Sequence, residues 1–330
     1  MASIEDIKKL RTMTGAGLGD CKKALAEAND DMEAAIEIIR KKGQAVAAKR
    51  SDRETSNGCV LVKAVDGFAA MIALKCETDF VANNKDFIAL TQQILDAAVA
   101  NKCKTLDEVK ALPMGNGTVQ DAVVDRSGIT GEKMELDGYL TIEGDNVSTY
   151  NHQGRNTLCT MVQLSKAAEE QGHNIAIQIA AMNPVAVDEA SVPQEVKDNE
   201  MKVAIEKTRE EQVKKAVEAA LKKAGFNLYI AENEEHLAEG IAKGNITEAQ
   251  AEEIRKIKVD VAAEALANMK EQMVQNIAKG RVQKFLKENC LVDQEFQFGD
   301  GDKATVAQWL AKQDKDLKIT AFKRFTLVAD

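Results

Sequence analysis

Apolar residues near the N-terminus recur three and four positions apart, in three short stripes separated by polar or glycine-containing segments. This spacing places each stripe on one face of a helix, so the segment predicts three short helices. Ser3 is the expected cap of the first helix, and Asp30 with Glu33 resembles a capping box for the third. Gly43 is expected to end the third helix. The stripes are formed by Ile4, Ile7 and Leu10, by Ala24, Leu25 and Ala28, and by Met32, Ala35, Ile36 and Ile39.

The pattern then changes to two apolar, β-branched runs, at residues 59–65 and 68–77. Asp66-Gly67 separates them, and this dipeptide suits the positive φ angles of a tight turn, so the runs predict a β-hairpin. Helical spacing returns from Phe87 to Val99, with Asn83 or Asn84 as the N-cap.

Thr78, Asp79, Phe80 and Val81 lie between this predicted hairpin and the helix that follows. Loops on a rigid scaffold often carry recognition groups, so the Phe80 ring could serve as a probe for a pocket on a partner. The alternative is that Phe80 folds back onto its own helix, since most aromatic residues are buried. The residues alone leave both interpretations open.

A similar pattern occurs again later in the chain. Residues 139–143, 147–152 and 157–164 alternate as strands do, and a helical stretch follows that ends before Pro184. The expected fold class is therefore α+β and multidomain, with a duplicated two-layer core lobe in which a helix covers a sheet. Residues 101–138 show no clear pattern.

Residues 183–194 contain two of the three prolines of the chain and mark a domain boundary. Residues 195–223 and 247–287 are rich in Ala, Glu and Lys and predict an inserted antiparallel helical hairpin of coiled-coil type. Its function is open between a solvated spacer and a partner-binding or dimerising arm. After it, residues 291–298 and 319–328 are expected to form strands and residues 306–310 a helix. These elements would return to the second lobe, with Trp309 in its core.

These boundaries predict four parts: 1–53, three helices with a basic linker; 54–138, the first core lobe; 139–184 with 281–330, the second core lobe; and 185–280, the helical insertion. The linker carries Arg40, Arg50 and Arg53 among other cations. Acidic residues interrupt this cluster and no aromatic residues are interleaved, which favours a solvated linker over a nucleic-acid site.

Composition narrows the possible functions. The 330 residues have a formal net charge of −9, which argues against a general nucleic-acid binder and favours a protein partner. The apolar runs are too short for a membrane span or a secretory signal, so a cytoplasmic protein is expected. The six cysteines form no C-x-x-C pair, and the three histidines form no metal-binding motif, so we expect reduced thiols, no metal, no cofactor and no catalytic site.

Several motifs resemble those of bacterial elongation factor Ts. They are the glycine-rich run 14–25, Ala34-Ala35-Ile36, the loop 78–83, Tyr150-x-His152-x-x-Arg155, and the segment 175–184 that ends in Pro184. The resemblance covers residues 1 to about 185 and resumes near Gly280. It implies a guanine-nucleotide exchange factor that accelerates GDP release from elongation factor Tu, without catalytic chemistry of its own.

The resemblance also assigns roles to residues. Asp79 and Phe80, within the loop Thr78–Val81, would enter the nucleotide-binding domain of elongation factor Tu, where the ring would disturb the Mg²⁺ site and the phosphate loop. Leu18 and Gly19 would contact a helix of that domain, and His152 with Arg155 would contact a more distant one. The three N-terminal helices would form a ubiquitin-associated (UBA)-like domain. The partner would be bound in its GDP-bound and nucleotide-free states, with a homodimer or a 2:2 complex as a possible assembly.

Three departures from the family pattern qualify this resemblance. The helical arm is longer than usual, an arginine pair that often follows the Gly131-Glu132 position is missing, and a short C-terminal module is expected to be absent. Two other functions remain open: a UBA-like adaptor for another protein partner, and a small-molecule enzyme.

Overall fold

The structure, a computed structural model, describes residues 3–299 and 303–327. It divides into two compact units. The core unit comprises Met1–Val187 and Gln294–Asp330 and mixes helices with small sheets, whereas the helical unit comprises Asp188–Asp293. The predicted α+β class is therefore confirmed.

The core unit begins with three helices, as predicted: α1 (Ile4–Thr14), α2 (Leu18–Glu27) and α3 (Met32–Lys49). The Ser3 hydroxyl caps α1 by accepting a hydrogen bond from the Asp6 amide, at 3.0 Å. The predicted stripes meet in a small core, except for Ile4, which is 72% exposed. The buried members of this core are Leu10, Ala16, Cys21, Ala24, Leu25 and Ala35.

The first sheet has the antiparallel order β1-β2-β5, formed by β1 (Asn57–Val65), β2 (Phe68–Cys76) and β5 (Met134–Glu143). Between β2 and β5 lie α4 (Asp79–Ala82), α5 (Lys85–Ala100), α6 (Leu106–Ala111), the short pair β3 (Pro113–Met114) and β4 (Gly117–Thr118), and α7 (Val119–Thr130). Val65 pairs with Phe68 around the predicted Asp66-Gly67 turn, so the hairpin is confirmed.

The assignment of residues 139–143 to the second lobe was wrong. These residues belong to β5, which pairs with β2 along most of its length. Met134 and Leu136 lie in the first core, and Tyr139 packs against this core. A boundary at residue 138 would therefore divide a single strand that completes the first sheet.

The second sheet has the order β6-β7-β8, formed by β6 (Val147–Asn151), β7 (Leu158–Leu164) and β8 (Ile319–Thr326). Helix α8 (Glu169–Met182) follows β7, as the repeated strand-to-helix pattern predicted. The two sheets share an apolar layer that includes Met71 from β2 and Met161 from β7. Because β2 is buried on both faces, its sequence is a continuous apolar run rather than an alternating one.

Gly43 does not end α3, contrary to the prediction. It lies inside α3, which continues to Lys49 and packs along α7. A Cβ atom added to Gly128 of α7 would overlap the Gly43 backbone, and one added to Gly43 would lie 3.3 Å from the Val124 carbonyl oxygen. The two glycines therefore allow a close approach of two helix backbones.

Residues 291–298 were expected to form a strand, which was also wrong. Within the core unit, the backbone here makes a single bridge, from Glu295 to Thr305. The buried Gln178 side chain donates to the Glu295 carbonyl oxygen and accepts from the Gln297 amide, so a side chain replaces the neighbouring strand. Helix α13 (Val306–Gln313) follows, and its half-buried Trp309 stacks on Phe296 at 4.1 Å between ring centroids.

The helical unit contains α9 (Gln194–Lys223), α10 (Glu234–Ala242), α11 (Glu248–Ala267) and α12 (Glu271–Asn289). Both α11 and α12 pack against α9, so the predicted second arm is divided by a break at residues 268–270. A capping box formed by Thr247 and Gln250 begins α11. The end of the arm has a core of its own, formed by Leu221, Ala231, Leu237, Ala251 and Ile254.

Candidate partner-binding site

The Phe80 turn consists of Thr78 and the single-turn helix α4 that follows it. The Thr78 hydroxyl accepts a hydrogen bond from the Val81 amide at 3.4 Å and so caps the turn. Phe80 is 85% exposed, the largest exposed fraction among the large apolar side chains given for the described residues. The alternative in which its ring folds back onto its own helix is therefore wrong.

The packing of its neighbours explains why Phe80 points outward. Val81 and Ala82 are half-buried and pack against the first core. Successive residues of a helix are turned by about 100°, so a single turn that places positions 81 and 82 inward presents position 80 to solvent. Local packing thus selects the exposed ring.

Glu132 supports the turn from the core. Its Oε2 accepts from the Thr78 amide at 3.1 Å, and its Oε1 accepts from the Thr78 hydroxyl at 2.6 Å. Glu132 follows Gly131, which ends α7 in the left-handed conformation at φ 76°. No local pattern predicts this contact, because it joins residues that are 54 positions apart in the chain.

Glu77 holds the linker against the base of the same turn. Its carboxylate accepts from the Lys133 amide at 2.6 Å, from Arg50 at 2.9 Å and from Arg53 at 3.0 Å. Burial alone would raise the pKa of this carboxyl, but the three donors outweigh burial and lower the pKa to about 2. Residues 51–54 are exposed, as expected for a solvated linker, but two of the linker's arginines are paired with a carboxylate that is only 13% exposed.

Cys76, the last residue of β2, lies directly before Glu77. Its thiol donates to the Thr78 carbonyl oxygen at 3.2 Å. Burial, reinforced by the negative charge of Glu132, raises the pKa of the thiol to about 12. At neutral pH it is therefore a neutral hydrogen-bond donor and not a nucleophile.

Leu18 and Gly19 form the first residues of α2 and are exposed. Leu18 is 50% exposed, and Met13, near the end of α1, is 54% exposed. A Cβ atom built on Gly19 meets no heavy atom within 4 Å among the described residues. Both predicted residues are thus exposed on the three-helix part.

His152 and Arg155 lie in the connection between β6 and β7, on a short 3₁₀ turn. The Arg155 amide donates to the His152 carbonyl oxygen at 3.1 Å, and the Tyr150 hydroxyl lies 3.2 Å from His152 Nδ1. Tyr150 also contacts His173 edge to face, at 5.8 Å between ring centroids. The imidazole is therefore held by its neighbours, whereas Arg155 is exposed. The predicted site residues thus occupy three different elements of the core unit.

Comparisons with known proteins agree with the motifs. The family model described as Elongation factor TS matches residues 77–329. The elongation factor Ts of Phocaeicola vulgatus is 63% identical over 328 residues, with 99% of each chain covered. The chain belongs to the elongation factor Ts family. Elongation factor Ts from Parabacteroides distasonis is 61% identical over 328 residues and that from Porphyromonas gingivalis 44% over 330, each with 99% of both chains covered.

Membership of the elongation factor Ts family confirms the resemblance found in the sequence. It implies a nucleotide exchange factor for elongation factor Tu in translation elongation, and not a catalyst of covalent chemistry. The match to the family model begins at Glu77, the residue that joins the linker to the Phe80 turn. Because these relatives match over nearly their whole length, they share the long helical arm with this chain.

Within residues 3–299 and 303–327, no group of three or more His, Cys, Asp or Glu side chains could hold a metal ion. None of the helices in these ranges is long and apolar enough to cross a membrane.

Proposed function

We propose that this chain promotes GDP release by inserting the Phe80 turn into the nucleotide-binding domain of elongation factor Tu. Asp79 and Phe80 enter the partner, and the ring wedges near the Mg²⁺ site and the phosphate loop, so that GDP leaves and GTP can rebind. The observation that carries the proposal is an 85% exposed phenyl ring on a turn whose backbone is held by the core.

The free energy gained by burying one phenyl ring limits how far Phe80 alone can accelerate GDP release. Full burial of a phenylalanine side chain contributes about 1.5–3 kcal/mol. A tenfold change in rate requires about 1.4 kcal/mol, so the ring can account for an acceleration of at most about a hundredfold. The rest must come from a wider contact that stabilises the nucleotide-poor partner. We assign this contact to Leu18 and Gly19, in the expected UBA-like part, and to His152 and Arg155.

Thermodynamic linkage makes the proposal testable. If the factor weakens GDP binding, GDP must weaken factor binding by the same ratio, so excess nucleotide should separate the complex. Excess Mg²⁺ should oppose the acceleration, because the wedge acts by disturbing the Mg²⁺ site.

The test uses elongation factor Tu loaded with a fluorescent GDP analogue and mixed with the purified chain and excess unlabelled GDP. We expect release to accelerate with chain concentration until it saturates, and the acceleration to fall as Mg²⁺ is raised. Binding that saturates without any change in the release rate would refute the exchange function. That outcome would favour an adaptor that uses its three-helix part to bind a protein.

A further inference from the structure

The exposed Phe80 ring depends on its backbone for its direction. At 85% exposure, its side chain is held only weakly by packing against the rest of the core unit. A wedge acts only when its atoms are placed accurately, since small displacements at a reacting site cost large factors in rate. Whatever fixes the backbone of the turn therefore also determines how well the ring acts.

The Thr78 hydroxyl links Glu132 to the turn. A threonine hydroxyl has one hydrogen to donate and two lone pairs that accept, whereas an ionised carboxylate only accepts. The hydrogen must therefore point to Glu132 Oε1, at 2.6 Å, which leaves a lone pair for the Val81 amide, at 3.4 Å. The second oxygen of Glu132 takes the Thr78 amide at 3.1 Å. One carboxylate thus orders both polar groups that begin the turn.

Glu132 is itself well anchored. Its amide donates to the Thr130 hydroxyl at 3.3 Å, and its carbonyl oxygen accepts from the Ser127 hydroxyl. Both partners lie in the last turns of α7, the helix that packs on α3 through Gly43 and Gly128. The support of the turn is therefore continuous with the helix that meets the three-helix part.

We propose that Glu132 is a positioning residue for nucleotide exchange: it fixes Thr78 and through it the direction in which Phe80 is presented. The inference rests on the proposed function, because it assigns Glu132 a role only through the wedge. Glu132 does not need to touch the partner.

The first experiment compares Glu132→Gln with wild type in the GDP-release assay. The amide has nearly the same shape, but it is neutral and only one of its two terminal atoms accepts. It can keep both contacts only if the Thr78 hydroxyl turns its hydrogen away and accepts from the new NH2 group, so two hydrogen bonds to a charged carboxylate become two weaker bonds to a neutral amide. We expect the maximal release rate at saturating chain to fall about tenfold, while the dissociation constant for elongation factor Tu changes less than threefold. Glu135→Gln is the matched control: Glu135 lies on β5, three residues along, and bonds to the Thr55 hydroxyl at 2.6 Å. It should exchange at the wild-type rate.

Threonine variants test the same link without changing the carboxylate. Thr78→Val removes the hydroxyl and should reproduce the loss seen in Glu132→Gln. Thr78→Ser keeps the hydroxyl and should therefore exchange faster than Thr78→Val. If Glu132→Gln folds poorly, the two Thr78 variants still test whether the hydrogen bond between Glu132 and the Thr78 hydroxyl is needed for exchange. Thr78 is only half-buried, so these changes disturb the core less.

A double-mutant cycle separates positioning from general stability. If Glu132 acts through the ring, Glu132→Gln should slow exchange in the wild-type background and have no further effect in Phe80→Ala. Equal slowing in both backgrounds would overturn the inference, and so would a wild-type rate for Glu132→Gln when Phe80→Ala is slow. A wild-type rate for Phe80→Ala would instead refute the proposed wedge, and the positioning role would fall with it.

Discussion

Replacing Gly128 by alanine tests whether the three-helix part is docked on the core through a close contact of two helix backbones. The added methyl group would overlap the Gly43 backbone of α3, so the contact requires a shift of main chain rather than of a flexible side chain. Overpacking of this kind costs about 1–3 kcal/mol. Alanine returns up to about 1 kcal/mol through its higher helix propensity. Because the overlap is with main chain, we take the upper part of the overpacking range, about 2–3 kcal/mol, and after the return from helix propensity we expect α3 to lose about 1–2 kcal/mol of local stability.

Hydrogen exchange measured by mass spectrometry can resolve this local effect. A loss of 1–2 kcal/mol corresponds to about 5- to 30-fold faster amide exchange in α3 peptides. The control is Gly280→Ala: Gly280 is exposed on α12, and a Cβ atom built there meets no described heavy atom within 4 Å. That variant should leave α3 unchanged and stabilise α12. Wild-type protection of α3 in Gly128→Ala would refute the docking argument.

Three further predictions concern other parts of the molecule. The pKa of Glu77 is lowered from 4.5 to about 2 in the folded chain, so the unfolded chain binds the proton first as the pH falls. The ionised Glu77 carboxylate should stabilise the folded chain by up to about 3 kcal/mol, fully above about pH 4.5 and progressively less toward pH 2. The melting temperatures of wild type and Glu77→Gln should therefore converge as the pH is lowered. Leu18→Asp should weaken binding of elongation factor Tu in calorimetry but change the free energy of unfolding by less than about 0.5 kcal/mol, because Leu18 is exposed. Ile254→Ala should cost about 2–5 kcal/mol in the core of the arm and speed hydrogen exchange in α10.

Each of these predictions has a contrary result. A constant difference in melting temperature down to pH 2 would mean that the Glu77 carboxylate does not stabilise the fold. Unchanged affinity of Leu18→Asp would remove the three-helix surface from the interface. Wild-type protection of α10 in Ile254→Ala would show that the end of the arm has no core of its own.

Sequence patterns correctly predicted the helices and strands that are determined by residues close together in the chain. The Asp66-Gly67 turn set the register of β1 and β2, and the apolar stripes placed the first three helices. The prediction for Gly43 was wrong because a glycine after an apolar stripe can have either of two roles. It can end the helix, or it can allow a second helix to pack closely against it, and the sequence around it looks the same in both cases. Its true role depends on Gly128, which lies far away in the chain.

The candidate site shows the same limit. The sequence placed Phe80 between a strand and a helix but left its exposure open, because exposure depends on how Val81 and Ala82 pack against the core. The two carboxylates beneath the turn had no signal in the sequence. Glu77 accepts hydrogen bonds from linker arginines that lie 24 and 27 positions away in the sequence. Glu132 accepts one from the Thr78 hydroxyl, 54 positions away. Such contacts require the folded chain.

The most direct test of the wedge is the maximal rate of GDP release from elongation factor Tu with Phe80→Ala at saturating concentration. Phe298→Ala is the matched control, since Phe298 is another exposed phenylalanine of the core unit, at 46%. The account predicts that Phe80→Ala keeps most of its partner affinity but releases GDP about 10- to 100-fold more slowly, while Phe298→Ala matches wild type. A wild-type release rate for Phe80→Ala would contradict it.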